Sequence, residues 1–405
     1  MPIQHGDYKL PNSRKIFIYF GLFILLLYIS ITFYSAYSLF ENTKNLSNGK
    51  KINVFQASTV NGNGMRNEQN LVQVEVWGKA AIGLYFWEHI MEGSLHRHDN
   101  ELVKVGEKII NNIKFKFRTG AGIIPQNAPR GAENLVLIIN GRTEEKIKFA
   151  KMWLDSLRKL PKLKNTAVIL LGNEQCNNEW LLPYMVNEGG SVRIAFIVYD
   201  ITNLNYNTFQ WPLGVATYRK FPKINPHEIE ISKYRPYKCN FLGTVYRNSS
   251  REILQKVFYE NKLYLACYLR LREEWQPNES KETAEEYYHT LLNSDLTLCP
   301  VGINPECYRI YEACSLGSVP VVEDVRTRGN CSIAPLRLLK YYKAPFIYLK
   351  SWKELPGILE KEKLLTFEEK KNRRLNLLQW YEMFKKKLQH TFVAQLEKTL
   401  FSSNL

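Results

Sequence analysis

Two charged residues stand three apart in LTLCPVGINPECYRIYEACSLGSVPVVED, residues 296–324: Arg309 and Glu312. An arginine offers a planar fork that grips a diphosphate, and a carboxylate accepts hydrogen bonds from the two vicinal hydroxyls of a ribose. Together the pair suits a nucleoside diphosphate. The alternative is an i, i+3 salt bridge on a solvated helix. Tyr308, Ile310, Tyr311, Ala313 and Cys314 leave that helix little polar face, which weighs towards function.

The surrounding elements must bring the pair to the end of a strand. LTLC (296–299) reads as a buried strand, PVGI as a turn, and Asn304-Pro305 as an N-cap followed by the first helical residue. In open parallel sheets, ligands sit beyond the carboxyl ends of strands, where helix N-termini present free N–H groups to anions. This reading puts Arg309 on the second turn and Glu312 one turn further along the same face.

Strands and helices alternate through the rest of the chain. In residues 71–225, LVLIIN (135–140), AVILL (167–171) and VRIAFIVYD (192–200) read as strands. The helical tract EEKIKFAKMWLDSLRKL sets Ile147, Ala150, Trp153, Leu154, Leu157 and Leu160 on one face. FQWPLGVATYRKFP (209–222) reads as an ordered connection. In residues 226–350 the strands are NFLG (240–243), LYLACY (263–268), LTLC, VPVV (319–322) and APFIYL (344–349). A helix near 283–292 lies among them, and another is opened by a Ser249/Glu252 capping box. Residues 351–405 end in a long basic amphipathic helical tract, 366–400. The fold class is α/β, two doubly wound parallel-sheet domains.

Residues 16–40 carry no charge and are long enough to span a bilayer, with Arg14 and Lys15 before them and Glu41 after. They read as a retained signal-anchor behind a short cytoplasmic tail (1–15), with a polar stem at 41–70 and the rest of the chain in the secretory lumen. Sequons at Asn45, Asn248, Asn278 and Asn330 agree with that side. Seven cysteines without a C-x-x-C pair give no zinc-ribbon signature, and an odd number leaves at least one thiol without an intrachain partner. A formal charge of +16 fits anionic partners or simply a solvated basic surface. No zinc-finger spacing, arginine-rich tract or aromatic ribonucleoprotein motif points to nucleic acid.

P-x-G (300–302), R-x-x-E-A and G-S-V-P-V-V-E-D resemble the nucleotide-sugar half of exostosin-like glycosyltransferases, which have the GT-B fold. EVWGKAAIG (75–83), LLGNEQCNNEW (170–180), FQWPLGVATYRKFP, CNFLGTVYRNSSR (239–251), SDLTLCPVG and ECYRIYEACS extend the likeness over nearly the whole lumenal part. There the chain resembles the ribitol-5-phosphate xylosyltransferase family of Golgi type II membrane enzymes.

The resemblance implies transfer of xylose from UDP-xylose, with inversion, to the ribitol phosphate of the O-mannosyl glycan of alpha-dystroglycan, alongside other Golgi glycosyltransferases. It implies no cofactor, and the sequence has no D-x-D metal clamp. The departing diphosphate then falls to helix N-termini and arginines. Besides Arg309, GTVYRNSSR offers Gly243, Arg247 and Arg251; Arg247 is preferred, since Arg251 falls in the first turns of a helix and reads as a surface charge. Gly302 belongs to the same turn set. For the general base, Glu174 follows AVILL and Asp200 ends VRIAFIVYD, both at carboxyl ends of strands. Asp200 can equally cap a turn, and Glu174 can face solvent. His89 reads as packed or superficial, and Glu323-Asp324 as donor-site lining or a loop cap. A catalytically silent GT-B scaffold and a fucosyltransferase-like enzyme are the competing readings.

Overall fold

The computed structural model describes residues 71–401, except 98–101, 202–206, 277, 330 and 332–335. The expected anchor and stem, with Asn45 and Asn330, lie outside the described residues. Among the described residues, no helix is long and apolar enough to cross a membrane.

The first sheet is built from β1 (Val72–Gly78), β2 (His96–Arg97), β3 (Lys104–Ile110), β4 (Ile113–Thr119), β5 (Asn134–Asn140), β6 (Asn165–Leu171), β7 (Val192–Val198) and β8 (Thr208–Trp211). Between β1 and β2 lies α1 (Ile82–Leu84), which runs on into a π-helical turn, Tyr85–Ile90; α2 (Glu144–Leu157) joins β5 to β6. The order is β2-β3-β4-β1-β5-β6-β7-β8, parallel from β4 to β8 with an antiparallel edge at β2 and β3. Strands buried on both faces divide their side chains between two cores. Val136 and Ile138 pack with Phe86 and Phe196, while Leu135, Leu137 and Ile139 pack with Trp153 and Leu154 of α2.

The second sheet is all parallel: β9 (Tyr237–Thr244), β10 (Cys267–Arg272), β11 (Ser294–Cys299), β12 (Val319–Glu323) and β13 (Ile347–Leu349), in the order β10-β9-β11-β12-β13. Its helices are α3 (Ser250–Glu260), α4 (Lys281–Leu292), α5 (Tyr308–Ser315) and α6 (Arg337–Tyr341). From β9 the chain passes through α3 to β10 on one side, then returns through α4 to β11 on the other. The carboxyl ends of β9 and β11 therefore flank the switch point, where a crevice opens.

Four local expectations change. Residues 263–268 are not a strand throughout: Lys262 takes a left-handed backbone (φ 51°), Leu263–Leu265 form a 3-10 turn, and pairing starts at Cys267. The connection after residue 208 begins as the edge strand β8. Ser249 caps α3 through the Glu252 amide, but the Glu252 carboxylate accepts from the Asn248 amide at 2.8 Å, so only half of the capping box forms. Finally, α5 starts at Tyr308 with Cys307 as an extended cap. The Asn304 side chain accepts from the Glu306 amide (2.9 Å) and donates to the Glu174 carbonyl (2.9 Å), holding a bend where a first turn was expected.

After α7 (Leu355–Leu364), the capping box Thr366/Glu369 starts α8 (Phe367–Leu396). This helix ties the two sheets together. Near its start the buried Arg374 pairs with Asp295 of β11 at 2.6 Å; near its end Phe392 packs on Phe86 and Phe196, and Gln389 donates to the Ile90 carbonyl. Disulfides join Cys176 to Cys331 and Cys239 to Cys267, leaving Cys299, Cys307 and Cys314 as thiols.

Candidate active site

A cavity of about 610 Å³ lies at the switch point, lined by strand ends of both sheets and by the connection between them. That volume lies within the ordinary range for small-ligand sites. Its second-sheet wall holds Gly243 and Thr244 from the end of β9, Arg251 from the first turn of α3, Arg270 and Arg272 from β10, and Cys307, Tyr308, Arg309 and Glu312 from α5.

The delayed start of α5 moves Arg309 into its first turn. Its Nη2 donates to the Leu242 carbonyl at 2.7 Å, and the guanidinium lies 4.8 Å from the Phe241 ring centre. A Cβ on Gly243 would approach Nη2 to 3.1 Å, so glycine keeps that space open. Burial opposes the Arg309 charge, but Tyr287 and Cys307 more than offset it and its pKa is raised. Arg251 donates to the Thr244 carbonyl at 2.9 Å, and its pKa is lowered by burial and by Arg309. Among the described residues neither arginine has a carboxylate partner, and the Nε of each is buried without one. Two half-buried cations that repel one another beside a helix N-terminus form a place for an anion.

No ion pair joins Glu312 to Arg309. Glu312 Oε1 accepts from the Ala216 amide (3.0 Å) and Oε2 from the Tyr287 hydroxyl (2.6 Å), while Glu306 accepts from the Leu213 amide (2.8 Å) and from Tyr311. These two carboxylates strap the inter-sheet connection onto α5. Burial raises both pKa values, that of Glu306 to about 7. Each oxygen of Glu312 keeps a second lone pair, and the residue still borders the cavity.

The first sheet contributes two side chains to the lining, Arg142 just beyond β5 and Glu174 just beyond β6. They form an ion pair through Arg142 Nη2 and Glu174 Oε1. The Tyr199 hydroxyl donates to the same Oε1 at 3.3 Å and accepts from Arg142 Nη2 at 3.2 Å. Tyr199 is fully buried and left-handed (φ 76°), a strained setting for a bulky residue.

Several expectations end here as corrections. Asp200 does not reach the cavity: its Oδ1 accepts from the Ile201 amide (2.9 Å) and from Arg337 (3.1 Å), burial raises its pKa, and it holds the chain after β7. Arg247 is exposed and off the cavity, because its loop turns outward and Asn248 takes φ 55°, whereas Arg251 points in. Gly302 is exposed outside the lining, with room for a Cβ only 3.3 Å from Arg251 Nη2. Glu323 accepts from Ser250, the Val301 amide and Trp352, and Asp324 pairs with Lys340 and Lys350, so both are structural. His89, by contrast, is packed as expected, and burial lowers its pKa to about 3.

Family models for the RXYLT1 N-terminal and C-terminal domains match residues 74–212 and 218–401. The chain belongs to the RXYLT1 family. It is 48% identical over 344 residues to "Ribitol-5-phosphate xylosyltransferase 1" of Danio rerio, covering 83% of this chain and 79% of that protein. It is 49% identical to the Homo sapiens protein of the same name, covering 82% and 78%. Among solved structures, an "alpha-glucosyltransferase in complex with UDP-glucose and DNA containing an abasic site" aligns at TM-score 0.37 and 10% identity, over 65% of this chain and 81% of that one; so slight a likeness carries no argument.

Within this RXYLT1 member, sequence reasoning missed Arg142, Tyr199 and Tyr287. Arg142 was open to the rule that found Glu174, since it lies two residues past the strand LVLIIN. Tyr199 and Tyr287 carry no local signal; their hydroxyls matter only through partners 25 or more residues away in sequence.

Proposed function

We propose that this chain is a xylosyltransferase that moves xylose from UDP-xylose to ribitol 5-phosphate, with a GT-B-like division of labour between its sheets. The observation that carries the donor half is the couple Arg251 and Arg309, cations without carboxylate partners among the described residues, beside the N-terminus of α5. A diphosphate is the anion that two arginines and a helix end would hold, and negative charge grows on it as it leaves. Glu312 lies beside them for the ribose hydroxyls. Glu174 takes the proton from the attacking ribitol hydroxyl; that oxygen bonds to C1 of xylose as the C1–O bond breaks and its electron pair departs with UDP, inverting the carbon.

The names of the relatives support the substrate pair. The acceptor is taken to be the O-mannosyl glycan of alpha-dystroglycan, met in the Golgi lumen by a chain anchored through residues 16–40. Two disulfides suit an oxidising compartment, and Asn248 and Asn278 are exposed for glycans. The diphosphate charge is assigned to arginines and a helix end, so transfer is expected to persist in EDTA; complete loss restored by one divalent ion would defeat that assignment. The direct test offers the purified full chain a panel of nucleotide sugars with a ribitol 5-phosphate acceptor. Transfer from UDP-xylose ahead of the others supports the reading. Donor binding without transfer to any acceptor would favour a scaffold instead.

A further inference from the structure

The two walls of the cavity divide the anionic charge of the reaction unevenly. The second-sheet wall has arginines enough for a diphosphate, while the first-sheet wall offers one cation, Arg142, in contact with one carboxylate, Glu174. An acceptor that is itself a phosphate ester brings a further anion beside that carboxylate. Without a cation between them the two would repel. Arg142 Nη2 is used by Glu174 and Tyr199, but Nη1 and Nε make no hydrogen bond among the described residues. Glu174 is likewise half used: Oε1 takes Arg142 and Tyr199, and Oε2 has no partner among the described residues. The strained backbone of Tyr199 holds its hydroxyl against both groups, so the arrangement is fixed from behind.

We infer that Arg142 recognises the phosphate of the acceptor with its unused Nη1 and Nε, while the same guanidinium holds Glu174 so that Oε2 faces the attacking hydroxyl. Tyr199 is the positioning residue of this arrangement. One side chain thereby sets both the acceptor's charge preference and the orientation of the base. The inference rests on the xylosyltransferase reading above and adds to it the residue that selects a phosphorylated polyol.

The test compares kcat/KM for ribitol 5-phosphate and for unphosphorylated ribitol, with UDP-xylose saturating and the full chain throughout. Loss of a charge-assisted contact predicts that the phosphate preference of the wild type falls about tenfold to a hundredfold in Arg142→Gln. In Arg142→Lys, which keeps the charge but not the fork, part of the preference should remain. Equal slowing on both acceptors would overturn the inference, because Arg142 would then serve the donor diphosphate or Glu174 alone. If Arg142→Gln fails to fold, an undiminished preference in Arg142→Lys overturns it equally. No transfer by the wild type to ribitol 5-phosphate would instead defeat the xylosyltransferase reading itself, and UDP binding measured in parallel tells whether the donor wall survives that failure.

Discussion

Two arginine–glutamate couples border the same cavity and are built in opposite ways. Arg309 and Glu312 are three residues apart in sequence yet unpaired: the arginine is held by the Leu242 carbonyl, the glutamate by the Ala216 amide and Tyr287. Arg142 and Glu174 lie 32 residues apart yet form an ion pair. The difference follows from parallel-sheet geometry. Adjacent parallel strands β5 and β6 end side by side, so the loops after them converge, whereas neighbours on one buried helix are each claimed by what packs above them. A split couple leaves its cation available to a ligand, and a joined couple fixes the direction of its carboxylate.

The comparison breaks most readily at Glu174. If Glu174 is the base, as proposed, Glu174→Gln removes the proton acceptor but keeps the shape, so kcat should fall about a hundredfold to ten-thousandfold, the usual contribution of general base catalysis. UDP binding by calorimetry should stay close to wild type. A rate loss under tenfold would remove Glu174 from that role. The next largest effect is expected at Arg309. On the proposed diphosphate role, Arg309→Ala deletes a contact that strengthens as charge builds on UDP, so the rate at saturating donor should drop about tenfold to a hundredfold. Glu312→Gln should mainly weaken donor binding and loosen the strap to Ala216. Early melting of both variants with normal donor affinity once folded would make the couple purely structural.

The donor wall was largely legible because its signals are local. A buried strand, a turn and a short helix with little polar face lie within residues 296–315, and the small residue Gly243 ends another strand. The start of α5 was misjudged because the side chain of Asn304 acts in a bend three residues before the actual cap, Cys307, and a Pro at 305 looks the same in either setting. β4 was overlooked although IKFKFRT alternates apolar and basic residues with the period of a half-buried strand. Asp200 and Glu174 occupied equivalent places in the sequence. What separates them is Arg337, 137 residues away, which engages Asp200 outside the cavity.

A smaller effect tests the strap that separates the two walls. Glu306 has its pKa raised to about 7 by burial, against 4.5 for an ordinary glutamate carboxyl. The folded state therefore holds its proton over the interval in which the unfolded chain has lost it. The stability this confers is full below the lower value and is lost as pH rises through the upper one. Melting temperature should decline by on the order of a few °C across that interval, and Glu306→Gln should flatten the decline. An identical pH profile in the variant would show that Glu306 does not titrate there.

The smallest expected effect is at Arg247, and its value lies in the contrast with Arg251. Both follow β9 within a few residues, but Arg247 is exposed beside the left-handed Asn248, while Arg251 donates to Thr244 and borders the cavity. Removing a solvated charge typically changes stability by no more than about 0.5 kcal/mol. Arg247→Ala should accordingly leave kcat/KM for UDP-xylose within about twofold of wild type, because a screened charge off the cavity contributes little to binding. Arg251→Ala should lower the same quantity about tenfold or more, since on the proposed reading this half-buried guanidinium makes a charge-assisted contact with the donor diphosphate. Measured side by side at two ionic strengths, the Arg247 effect should shrink with salt and the Arg251 effect should largely persist. The reverse ranking would mean that the loop 245–248 folds inward over the donor, and that the cationic wall extends further from α5 than its lining residues indicate.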